Sequence, residues 1–129
     1  MLNDILSSGL SKILNAERTG KKECIIRPSS KVVVNVLKLM NHNNYIGSFD
    51  VVNNTKGGHI KINLLGRLNK CGSIKPRYSI KKTGFEKFEK RYLLAKDFGI
   101  IIVSTQEGLM THYDAKKKGI GGRLIAYAY

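Results

Sequence analysis

An α+β fold is predicted for this chain, on three observations. Helix-spaced apolar residues and short β-branched runs follow one another in the first half as helix, strand, helix, strand, strand. Short strand-like runs, with shorter helical stretches between them, make up most of the second half. Between the halves, Gly66 to Pro76 carries two glycines, a proline and several cations, and is the one stretch with the composition of a boundary. A length of 129 residues suits one ordinary domain or two small subdomains meeting there. Hydrophobic residues make up 42% of the chain, enough for a packed core, which excludes disorder of the whole chain.

The elements follow in order. Asn3 or Asp4 caps a first helix to about Ala16, with Ile5, Leu6, Leu10, Ile13 and Leu14 on one face. Thr19-Gly20 ends it, and Cys24-Ile25-Ile26 reads as a short strand stopped by Pro28. Val32-Val33-Val34 has strand propensity. Yet Val33, Val36, Leu37 and Met40 stand at i, i+3, i+4 and i+7, so the spacing predicts a helix, capped by Ser29 or Ser30 and left through Asn43-Asn44. Tyr45–Val52 and Ile60–Leu65 read as strands joined by the turn chemistry of Asn53 to Gly58. Tyr78–Ile80 reads as a short strand. Phe85–Leu94 reads as a helix with Phe85, Phe88 and Tyr92 inward and Glu86, Glu89 and Lys90 outward. Gly99 to Val103 is apolar throughout, as a buried strand should be. A short helix from about Thr111 to Lys118 and a last strand, Leu124–Tyr129, complete the chain.

Charge narrows the function. Lys and Arg number 23 against 9 Asp and Glu, a formal net charge of +14. A compact body so charged repels itself and is best tolerated beside a polyanion. Cations placed on phosphates release condensed counterions, so nucleic acid is the expected partner. No apolar run approaches the length of a membrane span, and the cations are not gathered on one amphipathic helix, so no membrane partner is expected. The N-terminal residues Met1 to Leu6 lack a basic n-region and include an early acid, unlike a secretory leader or a transit peptide. Cys24 and Cys71 form no C-x-x-C pair and are expected as free thiols.

No arrangement of acids or histidines has the spacing of general acid–base work or of a metal site. His42, His59 and His112 are far apart in sequence, and no phosphate-binding glycine loop occurs. No catalytic residue, cofactor, metal or small-molecule substrate is therefore expected. One segment stands apart. Ser104-Thr105-Gln106-Glu107-Gly108 reads as a polar loop leaving the buried strand, with hydroxyls able to meet phosphate or base edges and a glycine allowing close approach. Gly119-Ile120-Gly121-Gly122 enters the last strand. If the last two strands pair, both loops share a neighbourhood; otherwise they are ordinary turns.

The run Gly99 to Lys116, with Gly121-Gly122 and the aromatic-ended last strand, resembles the C-terminal motif of the S-eight family of small-subunit ribosomal proteins. Ile26-Arg27-Pro28-Ser29-Ser30-Lys31 and Gly66 to Gly72 resemble its eukaryotic branch, historically named S-fifteen-a, as does Lys81 to Leu94. The resemblance covers essentially the whole chain. It implies two packed subdomains, residues 1–66 and 77–129, joined by a connecting segment 67–76, with the second rich in antiparallel strands. It further implies binding to the central domain of small-subunit rRNA, neighbouring ribosomal proteins as partners, and a cytosolic ribosome with nucleolar assembly. The main RNA-contacting element it implies is the Ser104–Thr105 loop with Gln106, Glu107, Gly108, Gly121 and Gly122. Gln106 stands where the bacterial form usually has a second serine. Lys75, Arg77 and Tyr78, and in the N-terminal part Asn3, Arg27 and Lys31, are further implied contacts. The alternative is a free-standing RNA-binding translational regulator that uses the same surface.

Overall fold

The protein is described from a computed structural model, over residues 5–27, 30–52, 58–75, 77–81, 83–93 and 99–129. The expected cap at Asn3 or Asp4, the stop at Pro28, the alternative cap Ser29, turn residues 53–57, and Pro76, Lys82, Leu94 and Asp97 lie outside this range. The fold is α+β with antiparallel sheets, and the chain divides into two compact units, 1–71 and 72–129.

In the first unit the order is α1 (Ile5–Arg18), β1 (Glu23–Ile26), α2 (Lys31–His42), β2 (Phe49–Val52) and β3 (His59–Asn63). The apolar stripe of α1 buries Leu6, Leu10, Ile13 and Ala16. Gly9 lets the helix sit close to β1, since a Cβ there would lie 3.3 Å from Ile26 Cγ2. The periodicity of α2 holds: Val33, Val36, Leu37 and Met40 are its buried residues, and the Ser30 hydroxyl accepts from the Val33 amide at 3.3 Å. Asn44 leaves the helix with φ +64°. The three strands form an antiparallel sheet in the order β1-β3-β2, with Cys24 facing Ile62 and Ile26 facing Ile60 on the buried side.

The strand expected from Tyr45 begins only at Phe49. The chain first closes the end of α2, with the Tyr45 amide donating to the Met40 carbonyl at 3.0 Å, and Ile46 is buried. Within the stretch read as connecting, Leu68, Cys71 and Ile74 are buried and a strand forms, β4 (Cys71–Ser73), which the unit boundary cuts after Cys71.

The second unit continues with β5 (Ser79–Ile80), α3 (Phe85–Tyr92), β6 (Ile100–Thr105), β7 (Gly108–Thr111), α4 (His112–Lys118) and β8 (Gly122–Ala128). Its sheet runs β4-β8-β6-β7, with β5 also on β8. The last two strands expected from the sequence do pair: β6 and β8 are antiparallel, with an irregularity at Ile102/Val103. Phe85, Ile101, Val103, Leu124 and Ala115 share one core cluster, which places α3 and α4 on one face of this sheet.

Two readings are corrected here. The residues after Ser104 do not form an open loop before a helix. They form a hairpin whose second strand, β7, was expected to be loop and helix start. Glu89, expected outward, is 3% exposed. Its carboxylate pairs with Lys116 of α4 and faces His112 Nε2 at 3.6 Å, so a partner 27 residues away in sequence makes burial of the charge tolerable. His112 Nδ1 accepts from the Ile101 amide at 3.0 Å, which leaves the imidazole proton on Nε2, toward Glu89.

Candidate nucleic-acid interface

The candidate interface lies at the end of β6. Ile100 to Val103 are buried, and the strand emerges at Ser104 and Thr105, both half-buried. Gln106 and Glu107 form the exposed two-residue turn, and Gly108 opens β7 with φ +113°, a conformation that suits glycine. The register pairs Thr105 with Gly108 and Ser104 with Leu109.

The two hydroxyls have different employment. Thr105 Oγ1 donates to the Gly108 carbonyl at 2.9 Å and accepts from the Glu107 amide at 3.2 Å, so it braces the turn. Ser104 Oγ has no hydrogen-bond partner among the described residues and remains available to a ligand. Glu107 pairs with Lys118 at 3.3 Å, both about half exposed. A carboxylate can only accept hydrogen bonds, so Glu107 restrains Lys118 rather than meeting a phosphate. Replacing Thr105 with valine should remove both turn hydrogen bonds and cost about 1 kcal/mol. Faster amide exchange at Glu107 with a modest drop in thermal midpoint would verify the brace; unchanged exchange would refute it.

The glycine pair lies beside this hairpin. Ser104 faces Arg123 across the β6–β8 pairing, one residue beyond Gly122. A Cβ on Gly122 would lie 2.9 Å from the Ser104 carbonyl carbon and closer still to its oxygen. One on Gly121 would lie 3.0 Å from Lys81 Cα and closer still to the Ile80 carbonyl oxygen. Both glycines are therefore demanded by backbone approach.

A model of the ribosomal protein S8 family matches residues 4–129. The chain belongs to the ribosomal protein S8 family. It is thereby a small-subunit-type ribosomal protein, an rRNA-binding ribonucleoprotein constituent with a part in translation, and its family is structural rather than enzymatic. No helix among the described residues is long and apolar enough to cross a membrane, and no group of three or more His, Cys, Asp or Glu among them is placed to hold a metal.

In this S8-family protein Ser104, Thr105, Gln106, Glu107, Gly108, Gly121 and Gly122 come together. Lys75 and Arg77 are exposed in the segment before β5. Tyr78 is half-buried, and its carbonyl accepts from the Leu124 amide at 3.0 Å. Arg27 and Lys31 are exposed in the other unit, after β1 and at the start of α2. Asn3 lies outside the described residues.

Sequence reasoning missed Arg123. It is exposed and stands directly opposite Ser104 on one side and Ser79 on the other. Directly opposed residues project to the same face of a sheet, so Ser79, Arg123 and Ser104 form one polar row with a single central cation. The register that makes this row cannot be read from sequence; the only signal was a basic residue following a glycine pair.

Proposed function

We propose that this protein is a structural constituent of the small ribosomal subunit that binds the central domain of its rRNA and supports subunit assembly. The observation that carries the reading is the row Ser79–Arg123–Ser104, beside a backbone kept bare at Gly121 and Gly122. The guanidinium offers donors to phosphate, the open Ser104 hydroxyl donates to or accepts from a base edge or a 2′-hydroxyl, and the braced turn holds that geometry. Gln106 and Gly108 at the exposed tip complete the contact. Lys75 and Arg77, with Arg27 and Lys31 on the N-terminal side, add electrostatic anchoring, and Tyr78 and Asn3 add uncharged contacts. Neighbouring ribosomal proteins are further partners. Residues 1–66 and 77–129, joined by 67–76, each contribute contacts to the rRNA. A cytosolic ribosome with nucleolar assembly belongs to the same reading, supported by the eukaryote-like stretches around Arg27, Arg67 and Phe85.

The test uses Ser104→Ala with Arg123→Ala. Affinity for a central-domain rRNA fragment should fall by about tenfold or more, and far less for a scrambled RNA of equal length. The slope of log K against log salt should flatten by about one charge through Arg123. Equal losses on both RNAs would remove the specific role of this row.

A further inference from the structure

Helix α3 presents a strip of aromatic rings and cations that the hairpin contact does not use. Lys87 Nζ lies 5.9 Å from the Phe88 ring centre, Phe88 and Tyr78 are 5.4 Å apart, and the Arg91 guanidinium is 5.6 Å from both Tyr78 and Tyr92. Tyr92 continues to Tyr127 at 5.4 Å. Lys87 and Arg91 are exposed, while Tyr78, Phe88 and Tyr92 are half-buried.

The acids of α3 are already committed. Glu86 pairs with Lys90 at 3.7 Å, and Glu89 is buried against Lys116 and His112. Lys87 and Arg91, four residues apart on one side of the helix, are paired with no carboxylate among the described residues. Arg91 thus lies over two rings, and none of its guanidinium donors is hydrogen-bonded among the described residues. A planar cation fixed on aromatic faces beside a second cation suits an anion carried by a planar group, which is the chemistry of a nucleotide.

We propose that α3 is a second RNA-binding surface, in which Arg91 and Lys87 hold backbone phosphates and an unpaired base stacks on the exposed parts of Tyr78 and Phe88. The proposal rests on the reading that the protein binds rRNA. It adds a contact on the other side of the same sheet. Ile101 and Val103 share a cluster with Phe85 of α3, whereas Ser104 has the parity of Ile100 and Ile102. One face carries the serine–arginine row and the other carries α3, so the two contacts meet different RNA segments and are separable by mutation. An acidic protein segment would satisfy the cations but leave the ring faces without a planar partner.

The experiment uses the full-length protein and transcribed small-subunit rRNA as the probe. Lys87→Ala with Arg91→Ala is compared with the wild type by filter binding, after thermal melts establish that it folds. Irradiation at 254 nm of the wild-type complex then maps nucleotide adducts. The expected results are an affinity loss of about tenfold for the double variant and a nucleotide adduct on Tyr78 or Phe88. A double variant within twofold of wild type, with adducts on neither ring, overturns the α3 contact while leaving the hairpin reading intact if Ser104→Ala/Arg123→Ala still binds weakly. A wild type that does not bind the rRNA overturns both. In purified small subunits, crosslinks from α3 to a neighbouring protein in place of rRNA also overturn it.

Discussion

Replacing Gly122 with alanine is expected to cost about 3 kcal/mol of stability, the upper part of the range for overpacking, and to abolish specific rRNA binding. The added Cβ would press on the Ser104 carbonyl and lie 2.9 Å from Val103 Cγ1. Most of that obstruction is backbone, which cannot rotate away. Relief requires β8 to move from β6 where Ser104 faces Arg123, and that movement dismantles the polar row itself. Thermal denaturation should show a midpoint lowered by roughly 10 °C, together with RNA affinity indistinguishable between cognate and scrambled fragments. Gly108→Ala is the comparison: nothing lies within 4 Å of the Cβ position, so its cost arises only from φ +113°. If Gly122→Ala behaves no worse than Gly108→Ala, close packing of β8 under Ser104 is not what demands the glycine.

The second large effect is expected inside the C-terminal core. Lys116→Met leaves the Glu89 carboxylate buried without its half-exposed cation, and a buried charge left uncompensated in this way costs about 2 kcal/mol or more. Glu89→Gln added to Lys116→Met removes both charges while keeping an oxygen to accept from His112 Nε2. That double variant should recover most of the loss in urea denaturation. A double variant as unstable as Lys116→Met alone would show that packing, not charge compensation, links α3 to α4. The link matters for function, because His112 also accepts from the Ile101 amide and so holds α4 against β6, the strand that carries Ser104.

What the sequence disclosed divides along physical lines. The α2 spacing of Val33, Val36, Leu37 and Met40 outweighed the strand propensity of three valines, because burying a stripe over three turns contributes more than local preference. The apolar run Gly99 to Val103 read as a buried strand, and Ile100 to Val103 are buried in β6. The family motif foresaw the family that the match over residues 4–129 shows. Strand β7 was invisible because a two-residue turn and a glycine at positive φ look like a loop in one dimension. Glu89 was read outward because its neutralising lysine lies on another helix. Arg123 was missed because strand register is a three-dimensional fact. Thr105 and Ser104 looked equivalent, and only the hydrogen bonds separate the brace from the open hydroxyl.

The tip of the hairpin offers the most direct measurement. Cys24 and Cys71 are buried free thiols; burial raises the Cys24 pKa and pushes Cys71 up to about 12, and Cys71 Sγ donates to the Leu10 carbonyl at 3.4 Å. Both should resist labelling near neutral pH, since the thiolate is the reactive form. A Gln106→Cys variant carrying a tethered iron chelate can then be assembled into small subunits and triggered to release hydroxyl radicals. Strand breaks confined to a compact set of nucleotides in the central domain of the rRNA are the predicted result. Breaks absent, or scattered over the other rRNA domains with none in the central one, would contradict the assignment of this hairpin as the element that recognises the RNA.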